Sequence, residues 1–175
     1  MMFKHTLPGL GCILAFSLPW LAQAQTASNA DKAFMKMAAQ IDMTEAHIGQ
    51  MAESRGSASQ VRDFGQKLTH DHTDAYDQLA AVAAKTGAAI PKGIDIRKIP
   101  AVEQLMNLKG PQFDHLFAQE EVRDHQKALA EFKREAQHGQ NPDVKTYAGK
   151  MIPVLEDHLH TAEALARSAK RRSGA

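Results

Sequence analysis

The chain of 175 residues contains one cysteine, Cys12, which lies in an N-terminal segment that we expect to be removed. A mature chain without cysteine has no disulfide, no thiol nucleophile and no thiolate ligand for zinc. An excess of one charge is also missing, since 21 Lys and Arg residues stand against 20 Asp and Glu residues. Because the chain has no basic face with interleaved aromatic residues, the sequence predicts no binding to nucleic acid.

One long apolar run, residues 7–21, lies close to the N-terminus and is too short to span a membrane. It is followed by Ala22-Gln23-Ala24, which has the small-x-small pattern of a signal-peptide cleavage site. We therefore predict a signal peptide over residues 1–24 and a mature single domain over residues 25–175, with its core at about 29–168. The mature protein is expected in the periplasm or otherwise exported, without a transmembrane segment.

Four later segments carry apolar residues every three or four positions, which is the spacing of one helix face. Capping residues or glycines mark most of their ends, and they cover about residues 29–54, 58–85, 112–138 and 142–168. The connection 87–110 contains one short predicted helix at 101–108. No alternating β pattern competes, so we predict an all-α fold: a ferritin-like four-helix bundle of two helical hairpins joined by a long crossover with a short helix.

Ionisable residues interrupt the apolar stripe of each of the four long predicted helices. In the first helix this stripe is Phe34, Met37, Ile41, Glu45, Ile48 and Ala52. Those that take inward positions are Glu45, His72, Glu121, His125 and His158. Burying such groups is costly unless they are paired, hydrogen-bonded or bound to a metal. At a rise of about 1.5 Å per residue, the inward residues of each hairpin differ in height by about 5 to 7 Å, so their side chains can reach one shared cluster.

Asp-His dipeptides occur four times in the chain, which exceeds the number expected by chance. Three of them place their histidine inward: Asp71-His72, Asp124-His125 and Asp157-His158. We expect these three aspartates to lie at the seams between helices, where each accepts a hydrogen bond from an imidazole of a neighbouring helix. The fourth dipeptide, Asp114-His115, lies off the stripe and is interpreted as a surface pair.

Two functional hypotheses explain the inward residues. In the first, a transition-metal ion (Zn, Cu, Ni or Fe) is bound by His72, His125 and His158, with Glu45 or Glu121 completing the site. In the second, the bundle is metal-free, the three aspartates satisfy the histidines, and the outer faces contact envelope components. A binding or stress-type protein is favoured over an enzyme, since no nucleophile–base pattern or phosphate loop is present. Both hypotheses leave open a homo-oligomer.

Four blocks of the chain resemble a known family. They are Asp63-Phe64-Gly65-Gln66-Lys67-Leu68 through Asp71-His72-Thr73, Phe113-Asp114, Val122-Arg123-Asp124-His125-Gln126-Lys127, and Ile152-Pro153-Val154-Leu155 through His158. Over about residues 31–165 the chain resembles exported bacterial proteins that carry domain of unknown function 4142, which are similar to ferritin-like four-helix bundles. The resemblance implies export and the bundle fold, and it supplies no reaction.

The inward residues differ from the motif of di-iron bundles. Such bundles use Glu-x-x-His, with the two ligands three residues apart, on each of two helices. Here Glu121 and His125 are four residues apart, and His72 stands where a carboxylate would be expected. The set is rich in histidine and poor in bridging carboxylates, so the bundle fold alone does not imply oxidase activity.

Overall fold

The computed structural model describes residues 26–173, and these form five helices without a strand. They are α1 (Asn29–Arg55), α2 (Ser59–Thr86), α3 (Ile99–Met106), α4 (Gly110–His138) and α5 (Pro142–Ser173), with a 3-10 turn, Ile96–Lys98, leading into α3. The all-α prediction is confirmed, and most helix ends lie within two residues of the predicted ones. The predicted signal peptide, residues 1–24, lies outside the described residues. Within the described part of the chain, no helix combines the length and apolar character needed to cross a membrane.

The connection between the two hairpins runs the full length of the bundle. At one end, the Ala27 backbone N–H donates to the Thr86 carbonyl (3.5 Å), so α2 ends where α1 begins. At the other end, the Ser57 backbone N–H donates to Asp114 near the start of α4 (2.9 Å). Because α2 ends and α4 begins at opposite ends, residues 87–109 form the predicted long crossover.

Asp114 is buried, so the prediction that it belongs to a surface pair was wrong. Its carboxylate accepts hydrogen bonds from the backbone N–H (2.9 Å) and hydroxyl (2.6 Å) of Ser57 and from the Ala58 backbone N–H (3.0 Å). Ala58 is the N-cap of α2 and has no capping side chain of its own. A carboxylate at this position satisfies N–H groups that a helix start leaves free. Asp114 thereby fixes α4 against the first hairpin.

Two glycines allow α1 and α2 to approach closely near the turn that joins them. A Cβ atom added to Gly49 would lie 2.6 Å from the Gly65 carbonyl oxygen, and one added to Gly65 would lie 2.7 Å from the Ala52 Cβ. Both distances are far below van der Waals contact, so any larger residue would push the helices apart. The close approach brings the polar side chains of α1 and α2 within reach of each other.

The apolar core consists of two halves separated by a polar layer. The half near the start of α1 includes Phe34, Met35, Leu79, Phe132, Tyr147 and Leu155. The half near the α1–α2 turn includes Ile48, Phe64, Leu68, Leu105, Phe117 and Leu165. Each long helix contributes at least one buried ionisable residue to the layer between these two halves, which cover that layer above and below.

Two carboxyl groups, Asp31 and Glu135, lie together where α1 begins and α4 ends. Burial opposes ionisation of Asp31, but hydrogen bonds from Ser28 and from the Gln140 backbone N–H (2.9 Å) lower its pKa to about 2. Burial, together with the hydrogen bond and charge of Asp31, raises the pKa of Glu135 to about 7. Glu135 therefore holds a proton at acid and near-neutral pH.

We expect the Glu135→Gln substitution to remove one pH-dependent part of the stability. The Glu135 carboxyl ionises at about 7 in the folded chain against a usual pKa of 4.5, so the folded state binds more protons between these values. The contribution of the Glu135 carboxyl to the free energy of unfolding is complete below about pH 4.5 and is lost as the pH rises through about 7. Urea unfolding at about pH 5 and about pH 8 should show the variant gaining stability relative to the parent at the higher pH.

Glu131→Gln is the control, because Glu131 is a partly exposed residue of the same helix that pairs with Arg134. If the difference in unfolding free energy between parent and Glu135→Gln is the same at both pH values, the proton is not held by Glu135.

Candidate metal centre

Six buried ionisable side chains form the polar layer in the middle of the bundle. They are Asp42, Glu45, His72, Glu121, His125 and His158. The structure brings together all five residues that the sequence placed inward, and it adds Asp42. The five do not surround one point, however: they form two sets of three that share His125. In each set, one ligand atom per residue lies within 4.8 Å of the others, and the sets are His72–His125–His158 and Glu45–Glu121–His125.

The hydrogen-bond partners of His125 and His158 fix which ring nitrogen of each carries a proton. The Nδ1–H of His125 donates to the Glu121 backbone carbonyl (3.0 Å), which can only accept. The Nε2–H of His158 donates to the Asp71 carboxylate (2.8 Å). Although burial opposes it, hydrogen bonds from Lys67 and His158 lower the pKa of Asp71 to about 2, so this carboxylate is ionised. The remaining nitrogens are His125 Nε2 and His158 Nδ1.

These two remaining nitrogens face each other at 3.2 Å. Burial and the nearby His72 lower the pKa of His158 to about 4, and the same two causes hold the pKa of His125 well below its usual value. Both rings are therefore neutral at neutral pH. Each presents a lone pair to the other, and no proton is available to join them.

His72 is held in the same way by Asp42. Its Nδ1–H donates to the buried Asp42 carboxylate (2.9 Å), while its Nε2 is buried without a hydrogen-bond partner. Burial lowers the pKa of His72, but the hydrogen bond and charge of Asp42 outweigh this effect and raise it overall. Burial also raises the pKa of Asp42, and the Tyr147 hydroxyl donates to the same carboxylate (3.3 Å).

The three imidazoles form a compact triangle with one nitrogen of each left for a ligand. The ring centroids of His72, His125 and His158 are separated by 5.2 to 5.7 Å. In each ring the other nitrogen is occupied by a carboxylate or a backbone carbonyl. Metal-binding histidines are oriented in this manner, because the outer hydrogen bond fixes the tautomer and makes the inner nitrogen more basic.

The three aspartates of the inward dipeptides have different partners, and the expectation for two of them was wrong. Asp71 accepts from His158 on a neighbouring helix, in the expected arrangement. Asp124 instead forms an ion pair with Lys98 from the crossover, and Asp157, whose side chain is 58% exposed, pairs with Lys67. Neighbouring residues of a helix point about 100° apart, so an aspartate beside an inward histidine points to the side of its helix. Its partner is therefore a residue of the segment that packs against that side.

Sequence reasoning missed Asp42, the partner of His72. The stripe chosen for α1 ran through Met37 and Ile41, which are only half-buried, whereas Ala38, Ala39 and Asp42 are fully buried. The spacing along the hairpin could have identified it. Counted from Gly56, Asp42 is 14 residues back and His72 is 16 residues on, a difference in height of about 3 Å.

Cavities reach the polar layer from two sides. One of about 320 Å³ is lined by Thr44, Glu45, Lys98, Asp124 and His125 among others. A second of about 380 Å³ is lined by Asp42, His47, His72, Tyr76 and Ile94 among others. The crossover separates them, and its Asp95 backbone N–H donates to the Thr44 hydroxyl (3.0 Å). A small ligand or water therefore has a route to both sets of residues.

A four-helix bundle of ferritin-like architecture with an inward cluster of histidines and carboxylates is the class of protein that this fold and site define. The model of the DUF4142 family, a domain of unknown function, matches residues 18–165, and the chain belongs to this family. The resemblance stated from the sequence is thus confirmed. No curated protein sequence matches this chain significantly.

A solved structure supports the fold independently. The crystal structure of a DUF305 fragment from Deinococcus radiodurans superposes with a TM-score of 0.71 over 81% of this chain and 99% of that one. The two sequences are 18% identical, so the likeness concerns the fold alone.

Proposed function

We propose that this protein is an exported binding protein that holds one transition-metal ion in the middle of the bundle. The ligands are His72 Nε2, His125 Nε2 and His158 Nδ1. Asp42, Asp71 and the Glu121 backbone carbonyl orient the three rings from outside. We assign Glu45 and Glu121 to the neighbouring set rather than to this ion, because they share only His125 with the three histidines.

The contact between His125 and His158 carries the proposal. Two neutral, buried rings face each other through lone pairs at 3.2 Å, and the buried Nε2 of His72 has no partner. Buried polar atoms without partners are unfavourable, and two opposed acceptors repel each other. A metal cation between the three nitrogens, bound with release of any proton carried by His72 Nε2, would convert all of these unfavourable features into bonds.

The donor set limits the kind of metal. Three imidazoles without thiolate suit Zn, Cu, Ni or Fe, as the composition of the inward residues already indicated. A zinc ion held by three protein ligands keeps a fourth position for water or a small ligand. Zinc is therefore the probe for the first test, with copper, nickel and ferrous iron as comparisons.

The metal content of signal-free protein, purified without an affinity tag or chelator, tests the proposal. We expect about one tightly held ion per chain and a rise in melting temperature when zinc is added, because binding to the folded state stabilises it. The same titration of His158→Ala should show neither. His160→Ala is the matched control, since His160 is exposed on the same helix and should behave as the parent.

The competing function, a metal-free bundle that contacts envelope components, predicts a different result. It predicts that no ion is bound stoichiometrically and that zinc does not change the melting temperature. It also predicts that metal-free His158→Ala is less stable than the metal-free parent. Equal loss of zinc in His158→Ala and His160→Ala would indicate loose chelation at the surface and would reject the proposed site.

Export is the second part of the proposal, and the apolar run with its Ala22-Gln23-Ala24 site supports it. Mass spectrometry of the protein from fractionated cells should find a mature chain that begins at Gln25 in the periplasmic or secreted fraction. Full-length protein confined to the cytoplasm would refute export without affecting the metal site.

A further inference from the structure

Two buried glutamates beside the three histidines have no partner for most of their oxygens. Glu45 and Glu121 are 3% and 1% exposed. Glu45 Oε2 and both carboxyl oxygens of Glu121 are buried without a hydrogen-bond partner. Glu121 Oε2 lies 3.4 Å from Nδ1 of His125, whose N–H is already donated to the Glu121 carbonyl. Such carboxyl groups are destabilising unless something binds to them.

One basic side chain beside these glutamates, that of Lys98, is paired elsewhere. Lys98, from the crossover, is engaged in a close ion pair with Asp124. Burial raises the pKa of Glu45, and burial, the charge of Glu45 and a hydrogen bond from protonated Glu121 to the Glu45 carboxyl group raise the pKa of Glu121 well above its usual value, so a bound cation would take the place of the proton on Glu121. The two carboxyl groups therefore lie close enough to repel each other when both are ionised.

The cavity of about 320 Å³ reaches Glu45 of this pair from solvent. Its lining includes Glu45 and His125, with Lys98 and Asp124 beside them. A site of this size holds several water molecules. Water from this cavity could therefore complete the coordination of an ion bound at Glu45.

We propose that Glu45 and Glu121 bind a second divalent cation beside the three-histidine site, through their carboxyl oxygens and water. Carboxylates and water suit a hard ion such as Mn²⁺ or Mg²⁺, whereas three imidazoles suit Zn²⁺. The two sets therefore select different metals. This inference goes beyond the proposed function, since it rests on the unpartnered carboxyl oxygens and the cavity and does not require the first ion.

The second site is tested with full mature protein that has first been loaded with one equivalent of Zn²⁺. Mn²⁺ is then added, and electron paramagnetic resonance measures the Mn²⁺ that remains free. We expect one Mn²⁺ to bind per chain. The Glu45→Gln/Glu121→Gln double variant should lose this binding and retain its zinc, and Glu121→Gln alone should weaken manganese at least about 10-fold. Glutamine is isosteric and removes the buried charge, so these variants should fold, and circular dichroism checks this.

Glu131→Gln is the matched control, because Glu131 lines the same cavity but is partly exposed and pairs with Arg134. It should bind manganese as the parent does. No Mn²⁺ binding by the parent, or unchanged binding by the double variant, would overturn the second site. Failure of the proposed function appears separately, as absence of zinc binding while manganese still binds through the glutamates.

Discussion

The His125→Ala variant is expected to lose tight zinc binding. His125 is the residue common to both sets, and its Nε2 lies 3.2 Å from the facing nitrogen of His158. Loss of an outer hydrogen-bond partner alone weakens metal sites about 10- to 100-fold, so loss of a ligand should lower zinc affinity by at least about 100-fold. Competition with a chromogenic chelator measures the affinity.

His115→Ala is the control for this variant. His115 lies on the same helix, outside both sets, and its removal should leave the affinity unchanged. Equal loss from the two variants would mean that zinc binds loosely at the surface. Unchanged affinity in His125→Ala, with the fold intact by circular dichroism, would place the ion elsewhere.

The Asp42→Ala variant should show a large loss of stability without any metal. Asp42 is 2% exposed and accepts hydrogen bonds from His72 (2.9 Å) and Tyr147 (3.3 Å). Removing one partner of a buried, hydrogen-bonded pair leaves the other without compensation and typically costs about 3 to 5 kcal/mol. Urea unfolding of metal-free protein should show a decrease of this size in the free energy of unfolding.

Asp157→Ala is the matched control for the loss of Asp42. The two aspartates have the same chemistry, but Asp157 is 58% exposed and pairs only with Lys67 across the surface. Exposed pairs contribute little, so we expect a change below about 1 kcal/mol. Similar losses in the two variants would contradict the view that Asp42 holds His72 in the polar layer. Zinc affinity should also fall in Asp42→Ala and stay constant in Asp157→Ala.

The fold could be predicted because each long helix carries its own signals. Apolar residues recur every three or four positions through α2, α4 and α5, and nearly all of the predicted stripe residues are buried. Gly87 takes a left-handed conformation (φ 70°) directly after α2, as a glycine that ends a helix often does. Both signals, the spacing of apolar residues and the glycine after the helix, can be read from the residues of one helix alone.

The site was predicted less completely because its outer partners depend on how the helices are rotated. In α1 the bulky Met37 and Ile41 suggested the inward face, but small residues mark the true one. Gly49 and Ala52 are buried where α2 comes closest, and Asp42 lies on this face. Choosing the buried face by hydrophobicity favours large side chains, whereas the face where two helices pack closely is lined by small ones.

The partner of Asp124 depended on the path of the crossover. Lys98 lies just before α3, in a connection without long periodic structure, so its position against α4 follows from tertiary packing alone. Periodicity gives the direction of a side chain from its own helix but not the segment that will cover it. The histidines could be predicted because they interrupt their own stripes, and their partners could not.

X-ray absorption at the zinc edge identifies the atoms that bind the ion. The sample is signal-free protein loaded with one equivalent of zinc, so that only the tightest site is occupied. We expect a first shell with three imidazole nitrogens at about 2.0 to 2.1 Å, together with the outer scattering of imidazole rings. A shell of oxygen atoms without imidazole scattering, or fewer than two imidazoles per zinc, would contradict binding by His72, His125 and His158.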